Sequence, residues 1–291
     1  MKRVLINIAR LIAALLSIFL LCLIYGFLIE PKTLAIRKVE IVSDTWQGPP
    51  LTIGLMSDFH IGGMHVKAKR VAKVVRKMNA LTPDITLIAG DFVNGHHPYV
   101  EWEETDRAAL NKGMLALGQL HAPLGVYIAL GNHDGYYGPR YVEAELTNAG
   151  LKVLENAHVT IDGEQQRFCL IGLSDFKTGK KDITVAQGCD DDQSIIAFMH
   201  SPDSFLYLPD TITLALAGHT HGGQVNLPFQ ERNARLIELG NTYAYGKLDY
   251  KGIPAFVTAG IGTSKIPARF RAPPEIVMIT LRSGRSEHFS E

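Results

Sequence analysis

The chain has 291 residues, of which 29 are basic and 29 are acidic, so its formal net charge is zero. A balanced charge argues against a broad basic surface for nucleic acid, and we expect no nucleic-acid partner. At this length the chain can form one large domain or two small ones, each with an adequate hydrophobic core.

The N-terminal region contains an uncharged, strongly apolar run from Leu11 to Ile29. At about 1.5 Å of rise per residue, a helix of this length nearly crosses a hydrocarbon core of about 30 Å. A cleaved signal peptide is the alternative, but the run is long for one, and no small-x-small cleavage site follows before Glu30 and Pro31. We therefore predict an uncleaved membrane anchor over residues 1–32 that crosses the membrane once, at about residues 11–29.

The orientation of this span is only weakly constrained, because equal numbers of basic residues flank it: Lys2, Arg3 and Arg10 before it, and Lys32, Arg37 and Lys38 after it. The first set lies nearer the N terminus and Glu30 lies on the far side of the span, so we place the rest of the chain outside the cytosol. Cys22 lies in the span. Cys169 and Cys189 can pair in an oxidising compartment or remain free thiols.

The remainder of the chain alternates predicted strands and helices and then becomes rich in strands. Residues 33–50 form a predicted linker with a first strand at 36–42, and residues 51–291 form the predicted main domain. Buried strands are predicted at 51–58, 85–91 and 125–132, with helices at about 71–78, 105–120 and 139–150. Further strands follow at 151–154, 158–162, 168–173, 195–200, 212–218, 255–260 and 275–281. This order predicts a layered α/β fold.

Five predicted strands end in side chains that can bind a metal ion or transfer a proton. In chain order these side chains are Asp58 and His60, then Asp91, then Asn132, His133 and Asp134, then His200, and then His219 and His221. Ligands bind at the carboxyl ends of the strands in an open α/β sheet, so we expect these side chains to lie together.

Each of these groups has an ordinary explanation when it is taken alone. An Asp-x-His sequence occurs often by chance, a lone histidine such as His200 is most often a hydrogen-bonded structural residue, and Gly90-Asp91 is compatible with a simple turn. Their common position at strand ends makes coincidence a poor explanation. Carboxylates, imidazoles and one carboxamide oxygen suit a pair of borderline divalent cations, and the absence of thiolates from the set disfavours a closed structural zinc site.

These motifs, in this order, resemble the signature of the calcineurin-like metallophosphoesterase superfamily. The signature consists of Asp-x-His, Gly-Asp, Gly-Asn-His-Asp/Glu, His and Gly-His-x-His, and the matching positions are 58–60, 90–91, 131–134, 200 and 218–221. The strings HTHGGQ and AGIGTSKIPARFRAPPEI are further similar to the membrane-anchored bacterial branch of the superfamily. That similarity implies a single-pass protein of the bacterial inner membrane.

The resemblance implies a four-layered β-sandwich flanked by helices, with two divalent metal ions (Mn, Zn or Fe) at one edge of its sheets. It divides the metal ligands into two sets with one shared residue: Asp58, His60 and His221 for the first metal, Asn132, His200 and His219 for the second, and Asp91 between them. For the last two histidines we expect both rings on the same side of the strand end, because they share strand parity. Gly222 and Gly223 would then let the backbone turn away without a Cβ in the cavity.

The resemblance also implies hydrolysis of a phosphate ester by a metal-bridging hydroxide, in line with the leaving oxygen. His133 would lie beside the scissile phosphate, where it stabilises charge or protonates the leaving oxygen, and Asp134 would orient the His133 ring. A serine nucleophile is not expected, because the chain has no GxSxG motif.

Two departures narrow the substrate class. Protein serine/threonine phosphatases of the superfamily carry an arginine after Gly-Asp, whereas this chain continues to Asn94 without one, and purple acid phosphatases place a tyrosine ligand where this chain has Phe92. We therefore expect a phosphodiesterase that acts on a small-molecule or lipid-linked phosphoester.

Two alternatives to this function stay open. An activity like that of UDP-2,3-diacylglucosamine pyrophosphatases would require the domain to lie in the cytosol. A non-catalytic scaffold of the same fold is the rival from another class, although relatives of that kind have lost metal ligands that this chain keeps. The sequence leaves the oligomeric state open.

Several loop residues have two interpretations at this point. Three histidines, His65, His96 and His97, line the cleft or are simply exposed. The segment with Tyr243, Tyr245, Tyr250, Lys247 and Lys251 is an edge hairpin or a lipid-facing one. The cations Lys265, Arg269 and Arg271 contact a phosphate or headgroups, or belong to a solvated loop.

Overall fold

The structure is a computed structural model that describes residues 2–180, 182–230, 232 and 237–284. Residues 285–291 of the predicted main domain lie outside the described residues. The domain boundaries predicted at residues 32 and 50 stay predictions. The first strand, which was assigned to the linker, pairs with the last strand in one of the sheets.

An N-terminal helix, α1 (Lys2–Ile24), continues through a π-helical turn at Tyr25–Ile29 and a 3-10 turn at Glu30–Lys32. No residue of α1 is buried, and the segment is long and apolar enough to cross a membrane. A helix that is apolar all round and packs against nothing is typical of a membrane span. The predicted apolar helix is confirmed, and its insertion into a membrane stays a prediction.

The described residues after α1 form twelve strands and four further α-helices. The strands are β1 (Ala35–Ser43), β2 (Leu51–Met56), β3 (Ile85–Ala89), β4 (Val126–Ala129), β5 (Lys152–Val153), β6 (Ala157–Asp162), β7 (Arg167–Gly172), β8 (Ile195–Phe198), β9 (Ile212–Ala217), β10 (Gly246–Tyr250), β11 (Ile253–Val257) and β12 (Glu275–Ser283). The helices are α2 (Ala68–Asn79), α3 (Glu104–Leu117), α4 (Asn132–Tyr137) and α5 (Pro139–Asn148).

The strands form two six-stranded sheets. The first sheet has the order β1-β12-β2-β3-β4-β5, with β2 to β5 parallel, and the second has the order β10-β11-β9-β8-β7-β6, with β11, β9, β8 and β7 parallel. The parallel strands read as continuous apolar runs because both of their faces are covered; β9, for example, is buried along its whole length.

The two sheets pack face to face through a core that includes Ile53, Leu87, Phe168 and Phe198. The helices α2, α3 and α5 cover the outer face of the first sheet, and short 3-10 turns at Thr184–Gly188 and Pro202–Tyr207 cover the outer face of the second. The predicted four-layered α/β sandwich with flanking helices is therefore confirmed, although the outermost layer on the second side contains 3-10 turns among the described residues.

One predicted strand ends earlier than expected. The prediction extended it to residue 132, whereas β4 ends at Ala129 and Asn132 begins α4. The physical reason is that Asp134 accepts a hydrogen bond from the N–H of Gly131, which closes the first turn of a helix. Asn132 therefore reaches the sheet edge from a helix N terminus.

The structure also decides two of the open interpretations. Cys169 and Cys189 form a disulfide. The tyrosine-rich segment contributes β10, which pairs with β11 as an edge hairpin, and its Tyr250 is buried against Phe205. The edge-hairpin interpretation is therefore confirmed.

Candidate metal centre

The structure brings all seven predicted metal ligands to one edge of the sandwich. The first sheet contributes residues that follow β2, β3 and β4, and the second contributes residues that follow β8 and β9. None of the seven is more than 5% exposed: Asp58, His60, Asp91, Asn132, His200, His219 and His221. Polar groups buried this deeply are costly unless a partner satisfies them.

One cluster contains Asp58, His60 and His221, whose ligand atoms lie within 4.8 Å of one another. Nε2 of His60 lies 3.1 Å from Nε2 of His221, and the latter atom lies 3.4 Å from Oδ1 of Asp58. Nδ1 of His60 faces the carbonyl oxygen of Val93 at 3.1 Å, so Nδ1 carries the proton and Nε2 of the neutral ring presents a lone pair. Two ring nitrogens at this separation require a shared proton or a cation between them.

A second cluster contains Asp91, His200 and His219, again within 4.8 Å. Nδ1 of His200 donates to the carbonyl oxygen of Ala89 at 2.7 Å, which turns its Nε2 to within 3.0 Å of Nδ1 of His219. The approach is close because Gly90 lacks a side chain: an added Cβ would lie 2.9 Å from Nδ1 of His200.

Asp91 joins the two clusters through one oxygen. Its Oδ2 lies 3.1 Å from Nε2 of His200 in the second cluster and 3.6 Å from Nε2 of His60 in the first. Its Oδ1 accepts the backbone N–H of His133 at 2.9 Å, which holds the carboxylate in this position. The resemblance implied that Asp91 is shared by both metals, and this role stays a prediction.

Two buried oxygen atoms support the interpretation of these clusters as cation sites. Among the described residues, Oδ1 of Asp58 and Oδ1 of Asn132 have no hydrogen-bond donor, although both are shielded from water. The other oxygen of Asp58 accepts the N–H of His219 at 3.0 Å, so Oδ1 alone faces the imidazoles. A buried carboxylate oxygen surrounded by nitrogen lone pairs fits a divalent cation.

The electrostatics of the site favour positive charge between the clusters. Burial acts to raise the pKa of Asp91, but the charge and the hydrogen bond of His200 oppose it most strongly, and the pKa lies well below its ordinary value. Burial likewise acts to lower the pKa of His200, but Asp91 outweighs it and raises that pKa to about 10. The Asp91–His200 position therefore attracts a proton, and the same field would attract a metal ion.

The two imidazoles of the first cluster are biased towards the neutral form that binds metals. Burial is the main reason that the pKa of His60 falls to about 3 and that the pKa of His221 lies well below its ordinary value. The neighbouring carboxylate, Asp58, has its pKa raised by burial to about 6. Neutral imidazole nitrogen is the species that ligates a cation.

Most of the candidate ligands have a backbone conformation that is uncommon outside glycine. Positive φ angles occur at Asp58 (54°), His60 (47°), Asp91 (58°), His219 (71°) and His221 (52°). Such conformations persist only where the surrounding structure enforces them, and they concentrate at functional sites. They also bend the backbone sharply after each strand, which turns the side chains towards the site.

The directions of the histidine pair have a different physical cause from the strand parity that we expected. His219 and His221 lie beyond the end of β9, in a turn and a 3-10 segment with left-handed residues, so strand parity does not set their directions. Consequently His221 joins the first cluster and His219 joins the second. The turn itself depends on Gly222 and Gly223, which have φ angles of 59° and 82°.

His133 lies between the clusters and the solvent-facing cavity. Its Nδ1 donates to the carbonyl oxygen of Gly95 at 2.6 Å, so the unprotonated Nε2 of the neutral ring is 3.9 Å from Oδ2 of Asp91 and 3.4 Å from the hydroxyl of Ser264. This places an imidazole nitrogen beside the two clusters, and the position beside a scissile phosphate that the resemblance implied stays a prediction.

The role predicted for Asp134 is corrected. Its carboxylate accepts backbone N–H groups of four residues at 2.8–3.0 Å, namely Asp91, Phe92, Val93 and Gly131, instead of orienting the ring of His133. Gly95 orients that ring. Asp134 therefore shapes the turn that carries Asp91, and burial raises its pKa to about 7 in spite of these bonds.

A cavity of about 430 Å³ opens over the clusters. Its lining includes the ligands Asp91, Asn132, His219 and His221, and also His133, His96, Tyr136, Lys177, Gln224, Val225, Ser264, Lys265 and Ile266. His96 packs against the His133 ring with centroids 4.1 Å apart. Of the three loop histidines, His96 thus lines the cavity, whereas His65 binds the carbonyl oxygen of Pro267 and His97 is exposed beside Glu101.

The loop of residues 264–272, called the rim loop below, forms one wall of this cavity and depends on a buried arginine. Arg269 is 0% exposed; its Nη1 donates to the carbonyl oxygen of Ala272, and its Nη2 donates to that of Ala259 and lies 3.3 Å from Nδ1 of His221. The interpretation of Arg269 as a headgroup ligand or a solvated side chain is therefore wrong. Its charge supports the turn behind His221, a role that an isolated arginine in a loop sequence does not reveal.

Gln224 is a second residue whose role the sequence did not reveal. Its side-chain amide donates to the carbonyl oxygens of Ser264 and Ile266 and accepts the N–H of Ser264. It therefore fastens the rim loop to the turn that carries His221.

Comparisons with known proteins agree with this site. The model of the family described as calcineurin-like phosphoesterase matches residues 51–223. The uncharacterized metallophosphoesterase YkuE of Bacillus subtilis is 30% identical over 78% of this chain and 77% of its own length. The putative metallophosphoesterase F40B5.2 of Caenorhabditis elegans is 32% identical over 79% of this chain and 48% of its own length.

A relative from Danio rerio, named a transmembrane protein with metallophosphoesterase domain, is 28% identical over 87% of this chain and 57% of its own length. The chain thus spans about half the length of the two animal relatives. The family model covers all the strand ends from which the two clusters are built. The chain therefore belongs to the calcineurin-like phosphoesterase family.

Proposed function

We propose that the chain is a membrane-anchored, two-metal phosphoesterase that hydrolyses phosphodiesters. The observation that carries this proposal is the pair of buried carboxylate–imidazole clusters that share Asp91 at the floor of an open cavity. A cavity of about 430 Å³ lies within the range typical of small-molecule sites.

The ligand sets follow from the geometry of the clusters. Asp58, His60 and His221 would hold one divalent cation, and Asn132, His200 and His219 the other, with Asp91 shared. Mixed nitrogen and oxygen ligands suit Mn, Zn or Fe. Bound there, two cations would supply a hydroxide at neutral pH and neutralise charge on the phosphoryl oxygens.

His133 is the proposed general acid. Because Nδ1 donates to Gly95, the ring can gain a proton only at Nε2, the atom that faces the cavity. A proton at that atom can pass to the leaving oxygen of the ester, and the resulting lone pair can then accept a hydrogen bond from product. Asp134 would act at a distance, by holding the turn that carries Asp91.

The substrate class that we favour is a diester. A dianionic monoester is commonly clamped by a bidentate guanidinium. The Gly-Asp motif continues here to Phe92 and Asn94, and no arginine lies among the described residues that line the cavity. A small-molecule or lipid-linked diester, with one negative charge, places a smaller demand on the site.

The cavity domain is proposed to lie outside the cytosol, on a single span in a bacterial inner membrane. The Cys169–Cys189 disulfide supports this location, because structural disulfides persist mainly in oxidising compartments. An activity like that of UDP-2,3-diacylglucosamine pyrophosphatases would need the opposite orientation. Protease digestion of intact spheroplasts separates the two, since only an external domain is cleaved.

The decisive experiment is hydrolysis of bis-p-nitrophenyl phosphate by the full-length chain in detergent, titrated separately with Mn, Zn, Fe and Mg. Asp91→Ala should lower kcat/KM by about 10³-fold or more, because both metal sites lose their shared ligand. His219→Ala should lower metal content as well as activity. His121→Ala is the matched control, since this histidine is exposed and remote from the clusters.

Failure to bind any metal would overturn the proposal. Binding of two metals without hydrolysis of diesters or monoesters would favour the non-catalytic scaffold instead. Hydrolysis that survives Asp91→Ala would show that the chemistry takes place elsewhere.

A further inference from the structure

The end of the N-terminal helix is packed against the rim loop that lines the cavity. The backbone N–H of Arg269 donates to the carbonyl oxygen of Gly26 at 2.9 Å. The buried carboxylate of Glu30 accepts the N–H groups of Arg271 and Ala272 at 3.0 and 2.7 Å. The helix and the cavity wall therefore have a fixed relation to each other.

This packing sets the depth of the rim loop relative to a membrane. Gly26 lies three residues before the end of the apolar run at Ile29, which is about 4.5 Å of helix. A loop that contacts Gly26 must therefore lie at the level where the apolar run meets water. A Cβ at this glycine would lie 3.3 Å from the carbonyl oxygen of Arg269, so a larger residue would push the two apart.

Large apolar side chains are exposed beside this contact. They form the apolar rim: Met64 (65% exposed), Val225 (39%), Leu227 (52%), Phe229 (105%) and Ile266 (55%). Single exposed apolar residues are normal on a protein surface, but a group at the mouth of a cavity indicates an interaction site.

Contacts between the segments show that the members of the apolar rim belong together. Val225 and Phe270 form an isolated parallel bridge, and the carbonyl oxygen of Leu227 accepts from the side chain of Arg271. His65, next to Met64, binds the carbonyl oxygen of Pro267. Each segment of the rim therefore touches the rim loop, and the rim loop touches the helix end.

Basic side chains accompany the apolar rim. Lys265 and Arg271 are exposed on the rim loop, and Lys32 and Lys67 are exposed beside it, where Arg70 of α2 donates to the carbonyl oxygen of Lys32. Apolar side chains flanked by lysine and arginine are typical of surfaces that lie in the headgroup region of a bilayer.

We propose that the apolar rim rests in the surface of the bilayer that holds the helix, so that the cavity opens towards lipid. The phosphoester would then be presented by an amphiphile whose acyl part stays in the membrane. The docking rests on the position of the rim and on membrane insertion of the N-terminal helix, which is part of the proposed function, and the substrate class rests in addition on the proposed phosphoesterase activity.

Docking is tested by lipid quenching in the full-length chain, reconstituted in phosphatidylcholine–phosphatidylglycerol vesicles. In a Cys22→Ser background, an environment-sensitive fluorophore is attached at Phe229→Cys or Ile266→Cys. The control is Gln165→Cys, which is exposed on the β6–β7 hairpin at the opposite edge of the sandwich. Lipids with a shallow spin label should quench the first two positions strongly and the control very little.

Two results would overturn the docking. In the first, aqueous quenchers reach the fluorophores at positions 229 and 266 as easily as the one at position 165. In the second, these two fluorophores are quenched neither from water nor from lipid. The second result would indicate that another protein or a second copy of the chain covers the rim, which cross-linking through the same cysteines would identify.

The substrate class is tested with Leu227→Ser and Phe229→Ser, which do not line the cavity. Turnover of soluble bis-p-nitrophenyl phosphate should not change, whereas turnover of an acylated p-nitrophenyl phosphodiester embedded in vesicles should fall roughly 10-fold or more. An equal effect on both substrates would contradict membrane presentation. If the unaltered chain hydrolysed neither, the proposed function and the substrate class would fail together, and the quenching profile would still decide the docking.

Discussion

The two sheets contribute to one site in different ways. The first sheet brings both carboxylates, the carboxamide of Asn132, the imidazole of His60 and the proposed acid His133, whereas the second brings three imidazoles, His200, His219 and His221. The first half is held by its own neighbours: Asp134, one residue after His133, fixes the turn after β3 through backbone bonds. The turn behind His221 depends on Arg269, far along the chain, and through it on the end of the N-terminal helix.

The first half of the site is therefore held by residues close to it in sequence, whereas the second half is held by residues that are distant in sequence. The half of the site that the first sheet contributes lies on short loops. Their shape is kept by hydrogen bonds from the backbone N–H groups of residues 91–93 to the carboxylate of Asp134. The half that the second sheet contributes, called the imidazole half below, takes its shape only when the rim loop has packed against the end of the N-terminal helix. We therefore expect changes to Asp134, which holds the first half in place, to act mainly on stability, and changes to the supports of the rim loop to act mainly on metal binding.

The largest effect on stability is expected for Asp134→Ala. The substitution leaves four buried backbone N–H groups without their acceptor, and it should lower the free energy of unfolding by roughly 3 kcal/mol or more. Thermal unfolding followed by circular dichroism measures this, with an expected fall in Tm of about 6–12 °C.

His133→Ala is the control for Asp134→Ala, because it removes the proposed acid and should reduce turnover with little change in Tm. If Asp134→Ala kept its Tm and lost only turnover, Asp134 would act on the reaction directly, and the correction to its role would be mistaken.

Arg269→Lys tests the dependence of the second half on the rim loop. Lysine keeps the charge but lacks the planar guanidinium whose separate nitrogens reach the carbonyl oxygens of Ala259 and Ala272, so the turn behind His221 should loosen. Metal affinity should fall about 10–100-fold, as is usual when a residue behind a ligand is altered. Competition with a chelator measures the affinity, and Arg271→Lys, on the exposed neighbour, is the matched control. An unchanged affinity with a lower Tm would reduce Arg269 to a purely structural residue.

The pattern of motifs predicted the fold and the members of the site, because parallel strands necessarily bring their carboxyl ends to one edge. Asp58, Asp91 and His200 could be located from the apolar strands before them. The directions of Asp58 and Asp91 could not be predicted, since they depend on left-handed backbone angles that only the packed turns enforce. For that reason strand parity was a poor guide to His219 and His221.

The roles of Asp134, Arg269 and Glu30 were also beyond prediction from the sequence. Each acts through hydrogen bonds to backbone groups, and a backbone group has no signature in the sequence. Glu30 lies at the end of an apolar run and contacts a loop more than two hundred residues away, with which it shares no motif. A sequence pattern indicates which side chains can bind a metal or transfer a proton, whereas these three residues determine the positions of the backbone segments that carry such side chains.

Glu30→Gln in the full-length chain tests whether the helix end supports the imidazole half. The two backbone N–H groups use different oxygens of Glu30, so the amide keeps an acceptor for only one of them and loses the charge, and the free energy of unfolding should fall by about 1–2 kcal/mol. The affinity for one of the two metals should fall with it. Glu40→Gln is the control, since it alters an exposed ion pair with Arg282 that contributes little. If the two variants had the same stability and the same metal affinity, the end of the N-terminal helix would not support the imidazole half of the site.

The smallest effect concerns Glu155, which supports the first half from the far side of β4. Its side chain is partly buried and accepts the N–H of Leu130 at 2.7 Å, just before the Gly131–Asn132 turn. Burial raises its pKa from 4.5 to about 8, with further repulsion from Asp134, Asp175 and Glu143, while the bond from Leu130 acts in the opposite direction. The folded state thus binds a proton that the unfolded state releases.

The sign of the pH dependence follows from this difference in pKa. The stability that comes from the protonated group is fully present below pH 4.5, is lost progressively as the pH rises to about 8, and does not change further above that value. Glu155→Gln keeps the acceptor for Leu130 and removes the titration, so it should raise Tm by roughly 2–4 °C at pH 8.5 and leave it almost unchanged at pH 4.5. Thermal melts at the two pH values measure this, beside Glu164→Gln on the exposed β6–β7 hairpin, whose two melts should match those of the unaltered chain. A gain that was equal at both pH values would show that packing, and not ionisation, distinguishes this carboxylate, and the turn that carries Asn132 would then be insensitive to the charge behind it.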